Sequence, residues 1–252
     1  MSPDPAQNLA HVQVELLLPY EIDAALAVRP VVYVPLGSIE YHSHHLPVGL
    51  DGLNAHGVCS SAAGRSGGLV LPTLYVGVGG GHTSYPWTIM AASAAPLAEL
   101  LEQTLGRLAD FGVRLAVLFT GHFADEQLAL VDEVAARWNK LGDTDLVVLA
   151  LSINRAETSL APDHAGVFET TLLSALRPDR VQLDQIPLAP GLEPPDPVGA
   201  IGYEHRHDPK HPLWGVMGPD PRGYRPEGAS AFLDEVVGWT LAQVEQALDQ
   251  VV

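Results

Sequence analysis

The sequence predicts an α/β fold, a mostly parallel sheet covered by helices on both faces. Short runs rich in Val, Leu and aromatics at 31–36, 69–76, 115–119 and 146–152 read as buried strands. Stretches of helical periodicity lie between them, at roughly 20–28, 52–65, 96–111 and 124–140. Strands alternating with helices of this length build βαβ units, which impose parallel pairing.

The elements follow in order along the chain. The first strand, Val31-Val32-Tyr33-Val34-Pro35-Leu36, stops at Gly37. The helix after the second strand carries Pro96 in its first turn, and Gly112 follows Phe111 where a C-cap belongs. A further helix starts near Gly166. The last runs from about Gly228 to Val252, with an apolar stripe of Phe232, Val236, Val237, Leu241, Val244 and Leu248. Residues 187–226 hold ten prolines and little periodicity, and read either as a linker or as an ordered excursion at a subunit contact. No internal repeat or second domain is visible, so 1–252 is expected to form one domain.

Composition narrows the function classes. At 252 residues with 47% apolar content, the chain supports a substantial core. Thirteen basic against thirty acidic residues give a net charge of −17, which argues against nucleic acid or an anionic membrane as partner. No apolar run reaches membrane-spanning length, and the first eight residues have no secretory pattern. The single cysteine, Cys59, cannot form an intrachain disulfide and fits a reducing cytoplasm, where it serves as a small helix-packing residue.

Chemistry concentrates at strand ends. Residues 37–51 pack one Glu, three His and one Asp into fifteen positions directly after the first strand. Glu40 and His42 are two residues apart and Asp51 follows, a donor set suited to a divalent cation with mixed N and O ligands. A second cluster, Thr120-Gly121-His122-Phe123-Ala124-Asp125, follows the strand 115–119. A third, Asp163-His164-Ala165-Gly166-Val167-Phe168-Glu169-Thr170, comes after the strand 146–152 and its loop. Open α/β sheets bind ligands outside the carboxyl ends of their strands. Three strand ends therefore deliver Glu40, His42, Asp51, His122, His164 and Glu169 towards one edge. Gly77-Val78-Gly79-Gly80-Gly81 lacks the lysine and following helix of a phosphate loop, and Ser38 lacks a nucleophile elbow; its hydroxyl is expected to fix its loop.

These motifs resemble those of the creatininase (creatinine amidohydrolase) family. The family signature G-S-x-E-Q-H-G-x-H-L-P-x-x-x-D is matched by Gly37, Ser38, Glu40, His42, His45, Leu46, Pro47 and Asp51. Its H-A-G-x-x-E-T segment is similar to His164-Ala165-Gly166-Val167-Phe168-Glu169-Thr170 at every defined position, whereas its N-G-H-G-G-N loop survives only as Gly121 and His122. A looser H-x-x-F-P-G-T-I likeness covers His82-Thr83-Ser84-Tyr85-Pro86-Trp87-Thr88-Ile89. Gly215-Val216-Met217-Gly218 and Glu227-Gly228 resemble the family's closing elements, so the likeness runs from about residue 12 to the end.

The resemblance implies a three-layer α/β/α sandwich with a mainly parallel central sheet, assembled as a homo-oligomer, often a hexamer. It implies two divalent ions per chain, zinc or manganese. Glu40, Asp51 and His122 would hold one, and His42, Asp51 and Glu169 the other, with Asp51 bridging. The implied activity is hydrolysis of a C–N bond in a small cyclic or linear amide, by hydroxide formed at the metals; a lactone or formamide substrate, or a member that binds without turnover, stays open. His164 is the implied proton carrier. His45, His82 and Tyr41 are candidates to contact substrate or orient a ligand, and Asp125 to join or crowd a metal. Departures at Thr120, Phe123, Ala124 and Asp125 point to an altered substrate, and bulk at Phe123 and Ala124 would narrow the pocket beside His122. Creatinine-cleaving members carry tryptophans ahead of His-Ala-Gly, and 139–163 contains no aromatic residue, which speaks against creatinine.

Overall fold

The computed structural model describes residues 7–80, 84–187 and 206–249. Strands are β1 Val31–Leu36, β2 Leu69–Val70, β3 Gly77–Val78, β4 Met90–Ala91, β5 Leu115–Thr120 and β6 Val147–Ser152. Helices are α1 Pro19–Val28, α2 Leu50–Ser66, α3 Ala95–Asp110, α4 Asp125–Leu141, α5 Val167–Leu176 and α6 Ala229–Leu248. The main sheet has the order β2-β1-β5-β6, every pair parallel, and β3 pairs with β4 in a small parallel sheet of its own.

This order decides where a ligand fits. From β1 the chain crosses through α2 to β2 on one side, then returns through α3 to β5 on the other. Crossovers of one hand that run in opposite directions must lie on opposite faces of the sheet. The packing agrees. Alternate residues Val31, Tyr33, Leu115, Val117 and Phe119 face α2, α5 and α6 through Val58, Phe168, Leu172, Phe232 and Val236. Their neighbours Val32, Val34, Ala116 and Leu118 face α3 and α4 through Leu97, Leu101, Leu105, Leu130 and Val134. The expected α/β/α sandwich is therefore present, and a topological switch point lies between the carboxyl ends of β1 and β5.

Several expectations needed adjustment. The run 69–76 pairs as a strand only at Leu69–Val70, then touches β1 again through a single bridge between Leu36 and Leu74. Pro72 in this run has no amide proton to give to a ladder. The N-terminal 3-10 turns Gln7–Val12 and Val14–Leu16 and the β3–β4 pair were not anticipated. Of the proline-rich stretch, 188–205 fall outside the described residues, while 206–226 hold turns and the short 3-10 helix Pro221–Gly223. Cys59 is fully buried in the core beneath α2. Among the described residues no helix is long and apolar enough to cross a membrane.

The strand ends meet the first turn of α2 at very short range. A Cβ on Gly37 would stand 2.2 Å from the amide nitrogen of Gly52, and one on Gly121 2.1 Å from the carbonyl oxygen of Asp51. Either alanine must push α2 off the sheet. Gly37→Ala and Gly121→Ala should each destabilise by about 2 kcal/mol or more. Gly106→Ala, in the middle of α3 with open space around it, should stabilise by about 0.5–1 kcal/mol. Urea unfolding of the three variants checks the contrast; equal effects would refute the packing argument.

Candidate metal centre

Loop 37–49 is fixed from several sides before it presents any ligand. The amide of Glu40 donates to the Val48 carbonyl (2.8 Å), closing the loop on itself. Ile89 N–H donates to Ile39 O (2.8 Å) and Tyr41 N–H to Thr88 Oγ1 (3.0 Å), pinning the outer edge. His45 Nε2 pairs with Thr170 Oγ1 (3.0 Å), which ties the loop to α5 beside Glu169. Burial first, then the charge of His42, pushes His45 down to about 3, so it is neutral. It orders its surroundings and stays out of the cavity lining.

Asp51 sits in the first turn of α2, where the helix dipole favours a carboxylate. Ser38 Oγ donates to its Oδ2 at 2.5 Å, the loop-fixing role expected of that serine. The two oxygens then diverge. Oδ1 lies 3.1 Å from His42 Nε2, and Oδ2 lies 3.3 Å from His122 Nδ1. His122 Nδ1 also meets Glu40 Oε2 at 3.0 Å, and His42 Nε2 meets Glu169 Oε2 at 3.6 Å. The expected residues thus converge as Glu40, Asp51 and His122 on one side and His42, Asp51 and Glu169 on the other, and His164 converges in addition with Glu40 and His42. All six side chains are buried.

The second and third loops have their own supports. Thr120 Oγ1 donates to the His122 carbonyl (2.6 Å), so the departure from asparagine leaves that loop anchored. His164 and Met217 exchange backbone hydrogen bonds of 2.9 and 2.8 Å. His164 Nε2 meets the Tyr41 carbonyl at 3.1 Å, and its ring lies 4.3 Å from that of His42. Tyr41 therefore touches the site through its backbone, while its ring packs on Tyr85 and Trp214. Glu169, in the first turn of α5, accepts from Ala165 N–H at 2.6 Å.

Two residues depart from expectation. Asp125 is exposed on the first turn of α4 and belongs to neither ligand group; its carboxylate follows the helix surface instead of His122. Asp163 was not singled out, yet it is buried and accepts from the amides of Gly166 (3.1 Å), Phe168 (2.8 Å) and Glu169 (3.3 Å). It caps α5 and so sets where Glu169 points. An aspartate just ahead of an apolar helical run was the available signal. His82 falls outside the described residues.

The donor set fits divalent cations. Metal–ligand bonds of about 2.0–2.2 Å place neighbouring ligand atoms roughly 3–3.5 Å apart, close to the separations seen here. The charges agree. Burial would lower the His42 imidazolium, but Asp51 and Glu169 outweigh it and hold it up to about 10; His122 is held at about 10 by Asp51 and Glu40 against the same desolvation. Glu169 is pushed well above the usual carboxylate range by burial, then by Asp51 and Asp163, despite His42. Three carboxylates crowded in a dry cluster call for positive charge, which the His42 and His122 imidazoliums supply here and a cation would supply in their place. The Nδ1 of His42 faces the Glu40 carbonyl (3.0 Å), which fixes a proton there and leaves Nε2, turned towards Asp51, as the nitrogen that would bind a metal once its own proton is displaced. Beside the cluster is a cavity of about 120 Å³, lined also by Gly80, Phe123, Ala124, His164 and Met217. Phe123 and Ala124 narrow it as expected.

A family model described as creatinine amidohydrolase matches residues 17–244. The chain belongs to the creatininase family. It is 31% identical over 177 residues to creatinine amidohydrolase of Pseudomonas putida, covering 62% of this chain and 68% of that protein. It is also 31% identical over 163 residues to the mycofactocin precursor peptide peptidase of Mycolicibacterium smegmatis, covering 62% of each. A solved creatininase superposes with a TM-score of 0.72 at 28% identity, over 94% of this chain and 97% of that one. The solved creatininases include a manganese form and a variant of Zn–Zn type. The chain is therefore a creatininase-family hydrolase with candidate metal-binding residues.

Asp163→Ala should lower stability by about 1–3 kcal/mol through loss of the cap. It should also weaken zinc or manganese uptake, because Glu169 loses its anchor. Thermal unfolding together with metal titration checks both; unaltered metal affinity would separate Asp163 from the site.

Proposed function

We propose that this protein is a dinuclear metal-dependent amidohydrolase that cleaves a C–N bond of a small cyclic or linear amide. The observation that carries the reading is the divided carboxylate of Asp51, one oxygen turned to His42 and the other to His122. Glu40, Asp51 and His122 would hold one ion, and His42, Asp51 and Glu169 the second, zinc or manganese as in the solved relatives. When bound, such ions acidify water and polarise an amide carbonyl.

The side chains supply the rest. His164 donates from Nε2 to the Tyr41 carbonyl, which leaves Nδ1 as the basic nitrogen. There it takes a proton from the attacking water and returns it to the leaving amine. Phe123, Ala124 and Met217 line the cavity, whose volume of about 120 Å³ suits a small group. The anchored His122 favours an active enzyme over a member that only binds, since the altered 120–125 loop keeps that imidazole among its carboxylates. Lactones and formamides would use the same groups. The peptidase name of one relative makes short peptides part of the same substrate question.

We also propose a cytoplasmic homo-oligomer, a hexamer by family likeness. Leu16, Leu18, Tyr20 and Val28 are all exposed on the N-terminal segment, an apolar surface suited to a subunit contact.

Protein purified without chelator should contain close to two divalent ions per chain by elemental analysis, and His122→Ala should lose one of them. Chelation should abolish hydrolysis, and zinc or manganese should restore it, in a screen of cyclic amides, formamides, short peptides and creatinine. A protein that takes up neither metal would defeat the reading. Light scattering should give a mass several times the 26.8 kDa of one chain; a monomer would contradict the proposed assembly.

A further inference from the structure

We propose that Gln127 is a positioning residue for His122, whose buried carboxamide fixes the imidazole that would bind one of the two ions. The inference rests on the dinuclear reading and adds to it a residue outside all three motifs.

Gln127 lies in the first turn of α4, beside Leu130, Val131 and Val134, and is fully buried. A carboxamide in such a place must find partners for both of its ends. Its Oε1 accepts from Val78 N–H at 3.1 Å. A backbone amide can only donate, so this contact decides which end of the carboxamide is oxygen. Nε2 is then turned to Thr120 Oγ1, at 3.5 Å. The hydroxyl accepts there and gives its one proton to the His122 carbonyl, at 2.6 Å. The donors thus run in one direction, from carboxamide through hydroxyl to the backbone of His122.

The other end of the carboxamide governs what lies against the ring of the same histidine. Val78 belongs to β3, and its neighbour Gly77 faces His122, since a Cβ added there would stand 3.2 Å from His122 Cδ2. Holding Val78 therefore holds the wall on which the edge of the imidazole rests. Two residues on, Gly80 lines the cavity and donates its amide to Glu126 Oε2 at 3.3 Å. The first turn of α4 thus carries the glycine-rich run, which has no phosphate to bind, as a fixed wall of the site.

Aim is what such support provides. His122 Nδ1 points at Glu40 and Asp51, at 3.0 and 3.3 Å. A ligand must be held within roughly 0.5 Å of its productive place, and loss of the partner behind it weakens a metal by about 10–100-fold. His42, the other imidazole, hangs instead on the Glu40 carbonyl within its own loop. Losing Gln127 should therefore weaken one ion and spare the other, whereas a residue that only filled space would not distinguish them.

Zinc titration of the metal-free protein against a competing chromophoric chelator tests this. The proteins compared are wild type, Gln127→Leu, Thr120→Val and Thr120→Ser, each with and without His122→Ala. Gln127→Leu should weaken one of the two zinc ions about tenfold or more and leave the other within about twofold of wild type. Thr120→Val, which removes the hydroxyl and keeps its shape, should weaken the same ion, and Thr120→Ser should restore most of the affinity. In the His122→Ala background none of these changes should move the remaining ion by more than about twofold. Equal losses at both ions, a loss that persists without His122, or unchanged affinity in Gln127→Leu overturns the inference. Wild type that takes up fewer than two zinc ions overturns the dinuclear reading itself, whereas two ions in wild type with an insensitive Gln127→Leu overturns the inference alone.

Discussion

The structure depends on one carboxylate being shared. Asp51 turns one oxygen to an imidazole from the loop that precedes α2 and the other to an imidazole from the end of β5, at 3.1 and 3.3 Å. Ser38 holds it in place at 2.5 Å. Much of the fold can be understood as what brings those groups together. The α2 helix must start hard against the ends of β1 and β5, which is why Gly37 and Gly121 admit no side chain. The sheet order must reverse between those strands, which opens the crevice there.

An all-buried set of three carboxylates and two imidazoles is unstable by itself. Transfer of such charges out of water costs several kcal/mol each unless they are paired. The protein offsets this in layers. Backbone carbonyls set the His42 and His164 tautomers, Asp163 receives three amides at the start of α5, and Thr170 and His45 join the first loop to that helix. These contacts hold the donors in a fixed pattern before any ion arrives, so little ordering remains for binding to accomplish.

The degree to which the sequence foretold this varies with the physics of each part. β1, β5 and β6 were legible because each is a short apolar run between punctuating residues. β2 was overextended, since composition cannot show where Pro72 takes the chain off the sheet, and β3 with β4 exist only through a pairing between distant segments. The candidate ligand residues were legible because their chemistry is scarce and falls at strand ends. Asp125 was misplaced because adjacency in sequence to His122 says nothing of direction once a helix begins between them. Asp163 was overlooked because its role is to accept backbone amides, a task visible only when the turn is folded. Tyr41, a candidate to contact substrate or orient a ligand, meets His164 through its backbone carbonyl, a contact that side-chain chemistry does not announce.

The family relationship fixes the fold and the hydrolase class, while the central claim concerns two ions astride Asp51. Anomalous diffraction at the zinc edge, from crystals grown with zinc, addresses it most directly. Two peaks are predicted, one between Glu40, Asp51 and His122 and one between His42, Asp51 and Glu169. A single peak, or peaks away from Asp51, would contradict the account.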